Sequence, residues 1–440
     1  MRVVVVGAGM AGLTATRLLT ESGGDVELIE AGQRVGGRAR TVRDRFVHGQ
    51  FAESGAEWVD TAHTRMLALL DRHGLGLLGE GEQWTTLRRW LHRNGVLISA
   101  DDLSDVEPGL LAEFDHFDSI VSAVAAGIAD PARPQDHPTA ATIDAQSLAD
   151  VARQANLGAI ATLFKLRDSQ GEFAEEPNGV SLLFAAQQRA QADATDHGGD
   201  GVRSHRIVEG LDSLVQAMAA EVETSLRLGE ALVAIEHDAH HVVVHTSTRS
   251  LHVDQVVITC TLPALRWVRF DPVLPQPVAS ALTHLGYGTV TKTAVQFAHR
   301  SWSAGYTTSD GRAQRAYDPT VDRPGETGII MSYCGGNGGR ELAELDETTR
   351  LDLIAGELQA MHRMRERVVG GFSRAWSGEP RFGGSYACYG PGQVTQYWEA
   401  LRRPLGRIWL AGEHTATCTG YLEGAVEAAE TVSAAIVAQG

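Results

Sequence analysis

Glycines at 7, 9 and 12 follow directly on the apolar run VVVV at 3–6, and an acidic residue, Glu30, closes the next apolar stretch. This spacing binds a dinucleotide. Gly7 permits a tight turn, Gly9 lets backbone approach a pyrophosphate, and Gly12 lets a helix pack close to its strand. The unpaired N–H groups at that helix's N-terminus face the phosphates, and Glu30 suits a ribose hydroxyl. Just beyond, in AGQRVGGRARTVR at 31–43, Gly36 and Gly37 can hold backbone against a cofactor and Arg38 adds charge near its pyrophosphate. A strand, a helix and a second strand must position these groups, so the opening of the chain predicts a strand–helix–strand unit of an α/β fold.

The second glycine pair resembles the signature of a large flavoprotein group that includes amine oxidases, phytoene desaturases and protoporphyrinogen oxidases. Nearly the whole chain resembles one branch of it, the FAD-dependent monoamine oxidase family. ESGAEWVD at 53–60 is similar to that family's segment passing near the flavin ring. VEGLDSLVQAMA at 208–219 is similar to its return to the cofactor lobe, with Val233 placed where the family meets adenine through backbone. GYGTVTKTAVQF at 286–297 alternates as a strand does and sets Lys292 where the family holds a lysine near flavin N5 through a water. Lys165 and Lys292 are the two lysines among 38 basic residues, which makes an incidental lysine at that place less expected.

RAWSGEPRFGGSYACYGPGQVTQYW at 374–398 and TGYLEGAVEAAE at 419–430 carry the rest of the resemblance. Tyr386 and Tyr421 match the two aromatics that wall the flavin's reactive face and guide an amine toward it. The resemblance implies further cofactor contacts at Gly55, Ala56, Trp376, Gly412, Glu413, Gly420 and Leu422. It also implies an access route lined by Tyr317 and Tyr333, with Phe184 and Gln187 facing it from a helix. Two departures stand out. Ser385 occupies the position where mitochondrial members carry a cysteine joined to the flavin, so FAD is expected to be noncovalent. Glu57 falls where the family has a small or uncharged residue, and a carboxylate there could bind a second amine or act as an acid/base.

The implied architecture is α/β (α+β). A Rossmann-like FAD-binding lobe is assembled from residues 1–80, 203–265 and 384–440, and a substrate lobe of mixed sheet plus helices from 81–202 and 266–383. Within these, 143–166 and 348–364 have helical spacing, while 231–244 and 328–333 read as strands. DPARPQDHPT at 130–139 and QADATDHGGDG at 191–201 read as loops.

The implied reaction passes a hydride from the carbon beside an amine nitrogen to flavin N5. An imine and, through reoxidation by O2, hydrogen peroxide are its products. A second reading keeps this oxidation but uses the imine in cyclisation, as in tailoring of a bacterial natural product, with Glu57 assisting. A flavin-binding protein without turnover is a third, against which Tyr386, Tyr421 and Lys292 argue.

With 38 basic against 55 acidic residues the net charge is −17, which argues against nucleic-acid binding. The partners expected are a small-molecule amine and O2, with a homodimer common in the resembled family. No apolar run is long enough to span a membrane. Four scattered cysteines without close pairing and no leader pattern point to a reducing cytoplasm. His237, His240, His241 and His245 cluster in sequence, but HDAHH sits at a hairpin turn with no convergent carboxylate or cysteine set, so no metal is expected.

Overall fold

The valine run at 3–6 lies at the centre of a parallel sheet, where a strand covered on both faces must be apolar throughout. The strand Arg2–Val6 is flanked by Asp25–Glu30 and Gln255–Ile258, with Leu226–Leu228 and Ile408–Leu410 outermost and every pair parallel. Because side chains alternate along a strand, its two faces join different cores. Val3 and Val5 pack with Leu13, Leu19 and Val426, the apolar sides of the helices Met10–Glu21 and Leu422–Val437. Val4 and Val6 pack with Ile235, Val242 and Val244 of a four-stranded sheet on the other side. The computed structural model describes residues 1–82, 89–99, 103, 107–195, 202–302 and 305–439.

Widely separated parts of the chain thus meet in one layered unit. The four-stranded sheet includes Arg269–Asp271, paired in parallel with Leu232–His237, so this unit extends past the expected boundary at 265. HDAHH closes the hairpin between Leu232–His237 and Val242–Thr246, where the Asp238 carboxylate accepts the N–H groups of His240 and His241 at 2.6 and 2.7 Å.

A second, seven-stranded sheet runs in the order Val368–Ala375, Val290–Phe297, Gly328–Gly335, Arg315–Tyr317, Tyr306–Ser309, Arg89–Arg93 and Val96–Ser99. It is mixed, because Tyr306–Ser309 and Arg89–Arg93 run parallel. Its register decides the chemistry of one face. Lys292 pairs with Tyr333, and Tyr333 with Arg315, so three polar side chains from three strands point the same way in one row. The helix Glu347–Met361 matches the expected periodicity and covers the opposite face through Ile354 and Leu358.

The helical spacing over 143–166 resolves into three helices, Ala140–Asp144, Leu148–Gln154 and Ala159–Glu172. A capping box at Ser147 and Asp150 starts the second, and Gly158 precedes the third, which interrupts the continuous helix the spacing implied. Within 191–201, residues 191–195 complete the helix Leu182–Thr195, and 196–201 lie outside the described residues. Among the described residues no helix is long and apolar enough to cross a membrane.

Candidate active site

A cavity of about 580 Å³ begins at the glycine turn and ends against the polar row of the seven-stranded sheet. Gly7, Gly9 and Glu30 line its first end. Gly12 is required there by close approach, since a Cβ on it would stand 1.8 Å from the Gly7 carbonyl oxygen. Glu30 is held by the N–H groups of Ala8 at 2.9 Å and Gly32 at 2.6 Å, which aims its carboxylate at the turn.

Farther along, Gly55, Ala56, Trp376, Gly412, Gly420 and Leu422 line the walls. Trp376 is fixed by its indole N–H, which donates to the Ser54 carbonyl at 2.7 Å. Arg38 donates to Glu413 Oε1 at 2.9 Å and to the Ser385 carbonyl. Glu413 also accepts the Gly420 N–H at 3.0 Å and the Ala387 N–H at 3.3 Å. One buried carboxylate therefore ties together the two segments that carry Tyr386 and Tyr421. The Ser385 hydroxyl lies on the cavity wall, buried and without a partner among the described residues. A glycine cradle at one end and an unsatisfied hydroxyl farther along fit a dinucleotide cofactor.

At the far end the Tyr386 hydroxyl donates to the Gly171 carbonyl at 2.9 Å and stands 2.8 Å from the Tyr333 hydroxyl. The Tyr421 hydroxyl donates to Glu172. Burial pushes Tyr386 and Tyr421 well above the ordinary phenol range, so both stay protonated. Glu172 opens onto the cavity yet is ringed by protein, and desolvation raises its carboxyl as well.

Lys292 donates to Glu57 Oε2 at 2.7 Å and to the Gly55 carbonyl at 3.1 Å. Glu57 is saturated, because Arg206 Nε reaches Oε1 at 2.7 Å and the Tyr317 hydroxyl reaches Oε2 at 2.6 Å. Arg206 in turn lies 3.8 Å from the centre of the Trp58 ring. Burial alone would raise the Glu57 carboxyl, but Lys292 and Arg206 outweigh it and hold the group down at about 2. Glu57 is the fixed counter-ion of two cations.

The Val233 side chain faces outward, and its neighbours Ala231 and Leu232 line the cavity, so the backbone of this segment borders it. Two other expected residues sit elsewhere. Phe184 is packed between Phe173 and Tyr389 in the core, and Gln187 is fully buried with its amide donating to the Pro131 and Thr417 carbonyls. Both support the fold and neither lines the cavity. Tyr317 and Tyr333 do line it. Arg206, Glu172, Arg315, Tyr306 and His63 were not anticipated. They come from separate strands and helices without a local motif, and only the alternation of the strands Ser204–Ile207 and Arg315–Tyr317 hints at them.

Behind Tyr421 a second cavity of about 540 Å³ shares Asp60, His63, Glu172 and Tyr421 with the first. Ala185 and Gln188 line it, each one residue on from the positions expected.

Residues 10–437 match the family model described as flavin containing amine oxidoreductase. An L-amino-acid oxidase of Bothrops pauloensis is 26% identical, covering 98% of this chain and 88% of its own. An L-amino-acid oxidase of Bungarus fasciatus is also 26% identical, covering 98% and 86%. Cyclohexylamine oxidase from Brevibacterium oxydans IH-35A shares the fold with a TM-score of 0.87 at 21% identity, over 100% of this chain and 99% of that one. Wild-type putrescine oxidase bound to putrescine gives 0.88 at 22% identity with the same coverage. The chain belongs to the flavin-containing amine oxidoreductase family, and FAD is the cofactor of its glycine-cradled cleft.

Proposed function

We propose that this protein oxidises a small amine to an imine and passes the electrons to dioxygen. The observation that carries the reading is the junction of two features in one cavity: a dinucleotide cradle, and beyond it Tyr386 and Tyr421 with Lys292 beside them. When bound, FAD supplies an acceptor for a hydride from the carbon beside the amine nitrogen and a donor of two electrons to dioxygen, which leaves as hydrogen peroxide.

The chain's own groups prepare the amine rather than deprotonate its carbon. Tyr386 and Tyr421 remain protonated and their hydroxyls are engaged by Gly171 and Glu172, so they orient an amine nitrogen and exclude water from it. Glu57 is committed to Lys292 and Arg206 and serves as their counter-ion. Lys292 is a rigid donor at the cavity wall, held from two sides and suited to keep a water or an oxygen species in place. The related enzymes named above are oxidases of amines or amino acids, which supports a donor with a C–H beside nitrogen.

The test is anaerobic bleaching of the flavin absorbance against amines, diamines and amino acids, followed by admission of oxygen. Bleaching and then rapid peroxide release are expected. Bleaching by no panel member, or bleaching without reoxidation by oxygen, sinks the reading.

A further inference from the structure

Charged side chains around the cage end of the cavity are nearly all committed. Lys292 and Arg206 each hold Glu57 at 2.7 Å, and Glu172 accepts the Tyr421 hydroxyl. Arg315 differs from them. It lines the cavity, its Nη2 makes a single contact of 3.2 Å with Asp168, and that aspartate's side chain is 56% exposed. Its buried Nε has no partner among the described residues. A pair with so exposed a partner contributes little, so most of the guanidinium's hydrogen-bonding capacity is unspent.

The guanidinium is nonetheless kept beside the cage. Arg315 pairs across the strands with Tyr333, whose hydroxyl meets that of Tyr386 at 2.8 Å. Both hydroxyls rest on the Gly171 carbonyl, at 3.3 and 2.9 Å. A Cβ on Gly171 would fall 1.2 Å from Arg315 Nη1, so the guanidinium lies over that glycine and a larger residue would expel it. The Tyr306 ring lies 5.8 Å from Arg315 Cζ and bounds it on another side. A planar, permanently charged fork fixed in a cavity is suited to grip a carboxylate through paired N–H bonds.

We propose that Arg315 is the anchor for a carboxylate on the substrate, so that the preferred donors are amines that also carry a carboxylate. The proposal deepens, and rests on, the reading of this cavity as an amine-oxidising site. An incoming carboxylate displaces Asp168 from Nη2, which makes Asp168 a competitor and Gly171 the residue that leaves the guanidinium its place.

Benzoate, an unreactive carboxylate, titrated into the FAD-loaded protein reads this site through the visible flavin spectrum without turnover. A saturable perturbation is expected, weakened about thirtyfold in Arg315→Gln, the scale of a charged hydrogen-bonding pair. Asp168→Asn should tighten benzoate, and Gly171→Ala, which alters no charge, should weaken it. FAD content and melting temperature show which variants remain folded. No perturbation, or equal affinity in wild type, Arg315→Gln and Asp168→Asn, overturns the proposal.

Anaerobic reduction by phenylalanine and by 2-phenylethylamine, which lacks only the carboxylate, separates the two readings. The loss in Arg315→Gln should be about thirtyfold greater for phenylalanine. Reduction by 2-phenylethylamine together with absence of any benzoate effect keeps amine oxidation and removes the role of Arg315. An Arg315-dependent benzoate effect with reduction by no donor in the panel does the reverse.

Discussion

Lys292 and Glu57 face each other at 2.7 Å with side chains only 3% and 2% exposed, and the glutamate is shared with Arg206. Two cations and one anion are thus withdrawn from water together, and each depends on Glu57 for compensation. Breaking a buried pair by removing one partner leaves the other charge stranded. Glu57→Gln should therefore cost about 3 kcal/mol in urea denaturation of the FAD-loaded protein. The double variant Lys292→Met, Glu57→Gln should cost clearly less than the two single changes summed. Strict additivity would mean that the two groups do not support each other.

What could be read in the sequence, and what could not, divides along the range of the interactions. The glycine cradle is a backbone requirement met by neighbours in sequence, so Gly7, Gly12 and Glu30 announce themselves by spacing. Lys292 was legible through the family resemblance of its strand, and the rarity of lysine in this chain added weight. The state of Glu57 was not, because it is decided by Arg206, 149 positions away, and Tyr317, 260 positions away. Phe184 and Gln187 failed for a geometric reason. Ala185 and Gln188 are one residue away on the same helix and line the neighbouring cavity, and a single step turns a helix by about 100°. Spacing identifies the element more readily than the residue that faces the cavity.

The covalent state of the flavin follows from where the cysteines are. Ser385 occupies the wall before Tyr386, and Cys388, Cys334 and Cys418 do not line the FAD cavity. Cys260 does line it, but beside Thr259, whose hydroxyl meets the Gly7 carbonyl at 2.9 Å, at the phosphate end. Burial also raises its thiol to about 12, which leaves almost no thiolate to attack. Acid precipitation should release all the yellow colour into the supernatant. Colour retained by the washed pellet would count against noncovalent binding.

Gly12 tests the cradle. A methyl group placed 1.8 Å from the Gly7 carbonyl oxygen cannot be absorbed by a side-chain rotation, because the obstacle is backbone. The helix Met10–Glu21 must move away from its strand, taking with it the N–H groups aimed at the phosphates. Gly12→Ala should raise the dissociation constant for FAD about tenfold in titration of the apoprotein, a loss near 1.4 kcal/mol in binding. An unchanged dissociation constant in this variant would show that the strand–helix contact does not shape the site.

Glu53 and Glu57, four residues apart, should bend the stability curve in opposite directions. Glu53 is buried, and desolvation raises its carboxyl from 4.5 to about 7 despite hydrogen bonds from Leu211 N–H and Thr41. The folded chain then holds this proton more tightly than the unfolded chain does between about 4.5 and 7, so stability falls as pH rises across that window. Glu57 is held at about 2, so the unfolded chain binds the extra proton between 2 and 4.5 and stability falls as pH drops there. Urea midpoints measured across both windows should show the upper decline in the wild type and its loss in Glu53→Gln, with the acid-side decline retained. Parallel curves for the two proteins above pH 4.5 would mean that Glu53 is not held protonated by its burial.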